Sequence, residues 1–165
     1  MTITTPFEHL LAAHMSRAHR VALGYLGHEQ EAREAAQDAL LKAYRARDRY
    51  DDQRPFYPWF YRIVRNTCLD AISRRKHRAM PGLDEERVAG PEESPVERLD
   101  QHREVQRMKR AMGRLSDEHR EVLTLRHFEG LSYAEMASLL EVAAGTVMSR
   151  LYRARRALVA EMESS

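Results

Sequence analysis

The stretch LSYAEMASLLEVAAGTVMSRLYRARRAL, residues 131–158, leaves the chain few ways to fold. Ser132 and Glu135 stand at the spacing of a capping box, and Leu131 and Met136 at that of a hydrophobic staple. A helix therefore begins just after Ser132. Its pattern runs out near Leu140, and a second helix starts near Ala144 and continues to about Glu161. Helices separated by so few residues must meet at a sharp corner, the arrangement of a helix-turn-helix. On the second helix Val147, Leu151, Ala154 and Leu158 share one apolar face. Thr146, Ser149, Arg150 and Arg153 share a separate polar stripe. The first face can seat the helix on its own domain, and the second can face a major groove. There Arg reads guanine or holds phosphate, and Ser and Thr contact either. Arginines at a helix end also suit water and the helix dipole, but the capped helix and tight turn ahead of them weigh for DNA.

Helical spacing governs the rest of the chain as well, and no segment reads convincingly as a strand. Thr5, Pro6 and Glu8 predict a helix start, followed by Phe7, Leu11, Ala18, Ala22 and Tyr25 until Gly24 and Gly27 interrupt. Glu29 to Arg47 carries a stripe of Ala32, Ala36, Ala39, Leu40 and Ala43, small enough for a neighbouring helix to approach closely. Asp48 to Pro55 is a polar connection. Phe56 to Arg78 forms a third helix with Trp59, Phe60, Ile63, Val64, Thr67 and Ile72 inward, and Met80 to Gly82 stops it. Ser94 to Glu97 opens a fourth helix with a second capping box and a stripe of Leu99, Val105, Met108, Met112 and Leu115. Ser116 caps a fifth, which Gly130 ends.

Charge divides these helices into two groups. The net charge is only +2, but Tyr61 to Met80 holds six Arg or Lys against Asp70 alone. From Leu83 to Asp100 the balance reverses, with seven acids against Arg87 and Arg98. Pro81 to Pro95 has no apolar period and three prolines, the composition of a flexible acidic linker. The expected fold class is therefore all-α, two small helical domains on one tether, at about 1–80 and 96–165 with 81–95 between them.

Other function classes find little support. Cys68 is the only cysteine, so no internal disulfide forms and a reducing compartment fits. The first residues lack the basic start and apolar core of a signal peptide, and no apolar run approaches membrane-spanning length. A cytoplasmic protein without membrane insertion is expected. His9, His14 and His19 are five apart and rotate around a helix, so neither a metal site nor a cofactor is expected. No nucleophile elbow or glycine-rich phosphate loop supports catalysis. The Phe56–Arg78 segment is more telling. Its outer face carries Arg62, Arg65, Asn66, Arg74 and Arg75 beside a run of aromatics, a surface suited to single-stranded nucleic acid. Trp59 and Phe60 themselves read better as core.

Together the two halves resemble the bacterial sigma factors of the extracytoplasmic-function group. Glu34 to Arg75 looks like their region two, and Leu115 to Leu158 looks like their region four. GLSYAEMA with GTVMSRLYRAR is the most specific match. The resemblance implies binding to core RNA polymerase, promoter recognition, melting and later release. It puts Glu34, Gln37, Asp38 and Leu41 where relatives meet the β′ clamp helices. It puts the loop Asp48 to Arg54, with Arg49, Tyr50 and Arg54, where a base flipped from the −10 element is captured. Tyr50 would form the pocket wall, because an aromatic in this polar loop has no core stripe to join. Ile63 and Asn66 fall at the pocket floor and strand contacts, and Arg62, Arg65, Arg74 and Arg75 at phosphates.

Thr146, Ser149, Arg150, Tyr152 and Arg153 match the helix that reads the −35 element. Met148 stands where many relatives carry Lys or Arg, and Ala143-Ala144 where a proline is common. The resemblance further implies a linker threaded through the RNA exit channel, contact with the β flap, and an anti-sigma factor as partner. The alternative from residues alone is a stand-alone helix-turn-helix regulator. A third reading is an interaction protein whose helices dock a partner.

Overall fold

The computed structural model describes residues 6–78 and 95–164. All regular structure among them is helical. The order is α1 (Phe7–Leu26), α2 (Glu29–Arg45), a 3-10 turn (Arg47–Arg49) and α3 (Phe56–Arg78), then α4 (Pro95–Arg114) and α5 (Asp117–Leu123). A π-helical turn (Thr124–Phe128) extends α5, and α6 (Tyr133–Leu140) and α7 (Ala144–Glu163) follow. The acidic linker expected at 81–95 lies outside the described residues, apart from Pro95, which opens α4. Thr5, Ser94 and Met80 to Gly82, read as caps and a stop, lie outside them too.

The first three helices pack on one another. Ala32, Ala35, Ala36, Ala39 and Ala43 are all buried on α2. With no side chain beyond Cβ, this face lets α1 and α3 close in, so Val21, Ala22 and Tyr25 join Phe60, Val64 and Cys68 in one core. At the mouth of this unit Phe7, Tyr50, Phe56 and Trp59 form an aromatic cluster with ring centroids 5.3 to 6.0 Å apart. α1 starts one residue later than the spacing suggests, with Pro6 as its N-cap. It ends at Leu26, where Gly27 turns left-handed at φ 73°. Gly24 does not interrupt it. That residue is helical and buried. α2 ends at Arg45, two residues before the expected Arg47, as the chain tightens into the 3-10 turn.

The second unit is organised by Arg120, only 1% exposed. Its guanidinium donates to the carbonyls of Met112, Gly113 and Leu115 at 2.9 to 3.1 Å. It also donates to Asp117 at 3.1 Å. One side chain thus satisfies the carbonyls that the end of α4 leaves open and sets the angle at which α5 departs. Ser116 accepts the His119 amide at the start of α5. The capping box of α6 is complete: Ser132 accepts the Glu135 amide, and the Glu135 carboxylate accepts the Ser132 amide. Those Ser132 hydrogen bonds hold the Glu135 carboxyl below its usual pKa. Leu131 and Met136 are buried as a staple requires. Glu141, left-handed at φ 55°, turns the chain from α6 toward α7.

α4 departs from its pattern. Met112 and Leu115 are buried, but Leu99, Val105 and Met108 are 57%, 50% and 40% exposed. Nearby, Arg107 donates to the Met162 carbonyl at 2.7 Å and Arg114 lies 3.7 Å from Glu161, so polar groups also join α4 to α7.

Replacing Arg120 by Met keeps its bulk but leaves three carbonyls of the α4 end without their donor. The C-terminal helices should lose at least about 2 kcal/mol, given a cost of roughly 1–3 kcal/mol per buried unsatisfied group. Urea unfolding followed by helical circular dichroism measures this, and a loss below about 0.5 kcal/mol would remove Arg120 from that role.

Candidate nucleic-acid interface

Three surfaces collect the residues singled out from the sequence. On α2, Glu34, Gln37, Asp38 and Leu41 fall on one helical stripe through their spacing of three and four. Glu34, Gln37 and Leu41 are exposed, Leu41 by 56%. Gln30 donates to Glu34 at 3.0 Å, and Lys42 pairs with Asp38 at 3.1 Å. Tyr44, 42% exposed, extends the same apolar ridge; its helical spacing from Leu41 could have drawn attention to it.

The second surface is α3 with the loop before it. Asn66 and Arg74 are exposed and Ile63 is half-buried. Phe56, Tyr57, Phe60 and Tyr61 are buried, so these aromatics are core; Trp59 is half-buried at the rim. Tyr50 corrects one expectation. Its ring has partners after all, because it leans on Phe56 and Trp59 at 5.3 Å. Its hydroxyl donates to the Arg54 carbonyl at 2.7 Å, which holds the loop in shape. Arg49 and Arg54 are exposed, Arg54 with Asp51 at 3.5 Å. Arg75 donates to the Leu26 carbonyl at 3.0 Å and pairs with Glu31.

On α7, Val147, Leu151 and Ala154 are buried, while Met148, Ser149, Tyr152 and Arg153 face solvent. Thr146 and Leu158 are half-buried. Arg150 is drawn back onto α5 by Glu118 at 3.3 Å, which anchors the start of the helix to its own unit. Ser149 donates to the Thr146 carbonyl, and Arg153 to the Ser149 carbonyl at 3.4 Å.

The sequence carried no signal for the seam at which the two units touch. Glu121, 7% exposed, accepts from Tyr61 Oη at 2.8 Å and from Arg65 Nε at 2.7 Å. Arg17 forks onto Glu129 at 2.9 and 3.3 Å while its guanidinium lies 3.3 Å over the Tyr57 ring. Arg62 reaches Glu141 at 3.2 Å. Burial, then the neighbouring Tyr25 and Glu121, push the Tyr61 pKa upward, so it stays a donor. Burial acts against the charge of Arg65, but Glu121, Tyr25 and Tyr61 together outweigh it and its pKa rises. Burial also pushes the Cys68 thiol up to about 12, so it is not a thiolate at neutral pH. Among the described residues no His, Cys, Asp or Glu side chains gather as metal ligands would, and no helix is long and apolar enough to cross a membrane.

Comparison with known proteins agrees with this geometry. Residues 10–78 match sigma-70 region 2, and residues 106–158 match sigma-70, region 4. The RNA polymerase sigma-H factor of Pseudomonas aeruginosa is 32% identical over 161 residues, spanning 92% of this chain and 83% of that protein. The ECF sigma factor SigW of Bacillus subtilis is 30% identical over 167 residues, spanning 92% and 86%. The ECF sigma-E factor of Escherichia coli is 34% identical over 135 residues, spanning 76% and 70%. Among solved structures, the sigma factor RpoE of Bartonella quintana, in complex with the anti-sigma factor NepR, superposes with a TM-score of 0.64 at 26% identity. It covers 97% of this chain and 98% of its own. CnrH in complex with the cytosolic domain of CnrY gives a TM-score of 0.63 at 26% identity, covering 96% and 88%. With both regions matched in order and relatives aligned along most of its length, the chain belongs to the sigma-70 family, as an RNA polymerase sigma factor of the extracytoplasmic-function group.

Proposed function

We propose that residues 1–80 hold core polymerase and open the −10 element, that residues 96–165 read the −35 element, and that 81–95 tether the two. In this reading the protein works in the cytoplasm and catalyses nothing itself. It lowers the cost of melting by offering a flipped base a pocket and the displaced strand a row of cations. The observation that carries it is the α2 stripe. Leu41 stands exposed one turn from Asp38 on a stripe that also carries Glu34, a surface for a protein partner that a regulator binding only DNA would not need. That alternative is therefore not favoured. The β′ clamp helices are proposed to take this stripe and the β flap to take the second unit. An anti-sigma factor is proposed as a further partner, since the Bartonella relative is bound to one.

Reversing charge on the α2 stripe tests the first contact. Asp38→Arg should lower affinity for core polymerase while leaving helicity and melting temperature near those of the parent. Co-purification with core enzyme reads the effect. If Glu34→Arg combined with Asp38→Arg leaves binding intact, that helix has another purpose.

The outward face of α7 separates two kinds of DNA contact. Arg153→Ala should cost about 1–3 kcal/mol at a matched −35 sequence and relax preference at one position if the guanidinium meets a base. If it holds phosphate, all sequences should weaken alike and the salt slope should flatten by about one unit. Footprinting of holoenzyme on promoter variants at two salt concentrations distinguishes these, and no change in either takes Arg153 out of the interface.

Tyr50 has both a packing partner and a proposed base. Tyr50→Ala should spare core binding and −35 recognition but reduce open-complex formation, seen by permanganate reactivity. Part of the activity should return on a pre-melted bubble, where unpairing has already been paid for. A variant with a lower melting temperature and no rescue by the bubble would leave Tyr50 only the structural role, as a prop for the loop.

A further inference from the structure

α7 has a second apolar side besides the one that seats it. Met148 and Tyr152, one turn apart, are 56% and 62% exposed. Ala144 and Gly145 stand in line with them, exposed and short. A Cβ on Gly145 would meet nothing within 4 Å. Met148 is therefore the first side chain of any reach on this side of the helix. The charge around the ridge says what could cover it. From Ala144 to Ala160 the helix carries four arginines and no carboxylate. Arg150 is tied to Glu118, but Arg153, Arg155 and Arg156 are exposed. An apolar ridge among cations, with no acid beside it, suits a polyanion that also presents an apolar group. The major groove of DNA is such a surface.

We infer that Met148 and Tyr152 read the C5 methyl groups of thymines, so that this factor selects A·T pairs at two nearby positions of its −35 element. The inference rests on the assignment of α7 to that element under Proposed function. On the major-groove edge of the base pairs the thymine methyl is the apolar group; the others are hydrogen-bond donors or acceptors. The Met148 thioether cannot donate to guanine N7 or O6, nor bond the cytosine amino group well. Seated over a G·C pair, it would strip water from those groups and return nothing. Over a thymine it gains contact and leaves no polar group unpaired.

Geometry sets the spacing of the two positions. Residues four apart rise about 6 Å along a helix, and successive bases are about 3.4 Å apart, so the two contacts fall within about two base steps. The side chains differ in how firmly they are held. The Arg156 guanidinium lies over the Tyr152 ring, 5.8 Å from its centre, which steadies that ring and leaves its opposite face for a methyl. Met148 is unbranched and adapts its shape to the group it meets. Arg153, beside the ridge, keeps its charge for phosphate or a guanine outside the two positions.

The test uses the full chain assembled with core polymerase. A duplex library randomised over the −35 element, bound and sequenced, should return A·T pairs at two positions within about two base steps. In a selected duplex, thymines are then replaced one at a time by deoxyuridine, which removes the methyl and keeps every hydrogen bond. Affinity should fall about fourfold at each of the two positions, the worth of one buried methyl group. Met148→Ala should bind the thymine duplex about fourfold more weakly and become indifferent to deoxyuridine at one position. Tyr152→Ala should do the same at the other. Met148→Leu should keep the sensitivity, and Met148→Arg should move the preference at its position toward guanine. Both side chains are exposed, so melting temperatures should stay near that of the parent. A selected element without A·T pairs, or deoxyuridine sensitivity that survives in both alanine variants, overturns the inference. So does loss of core-polymerase binding in those variants with DNA reading intact, which would make the ridge a protein surface. If deoxyuridine has no effect while Arg153→Ala still weakens −35 binding, methyl reading alone is wrong. If neither matters, α7 was misassigned to the −35 element.

Discussion

Glu121 joins the two helical units. Its carboxylate is buried, and the groups that keep that burial tolerable, Tyr61 and Arg65, belong to the other half of the chain. A buried carboxylate without donors would be strongly disfavoured. The relative placement of the units therefore rests on a hydrogen-bonded charge pair as well as on apolar area. Arg17 and Glu129 repeat the arrangement a few residues away, with Tyr57 beneath the guanidinium.

Within each unit the chemistry differs in kind. The N-terminal three helices are held by an alanine face and a layer of aromatic rings, so their outer surfaces are left for carboxylates on α2 and arginines on α3. The C-terminal unit buries no aromatic ring among its described residues. It relies on local polar devices: Arg120 closing the end of α4, Ser116 and Ser132 capping the helices that follow, and Glu141 turning the corner. These devices fix the start of α7, and a fixed start lets one polar stripe of that helix face outward.

The arginines of α3 belong to both descriptions of the protein. In the structure they complete an internal seam; in the proposed complex they would hold a displaced strand. Arginine suits both because its planar fork pairs with carboxylate and phosphate alike. The exposed part of α4, with Leu99, Val105 and Met108, is a different matter, since its apolar groups gain nothing from water.

Much of this was legible in the sequence wherever the physics is local. A capping box, a staple, a glycine at a helix end and an alanine stripe act over three to seven residues. The helices, the corner before α7 and the family followed from such patterns. So did the exposure of Ser149, Tyr152 and Arg153, because the apolar face beside them had only one way to turn. Tertiary structure alone decided the rest. Gly24 reads as an interruption until Thr124 is brought against it from a hundred residues away. Tyr50 looks isolated in a polar loop until Phe7, Phe56 and Trp59 surround it. Leu99, Val105 and Met108 keep helical period, yet in the folded chain they stay exposed. Glu121 has no distinguishing neighbour along the chain, and its role is set by Arg65 and Tyr61. Periodicity states which face a helix would bury. Which surface arrives to bury it, and which charge arrives to pair, depends on contacts between residues far apart in the chain.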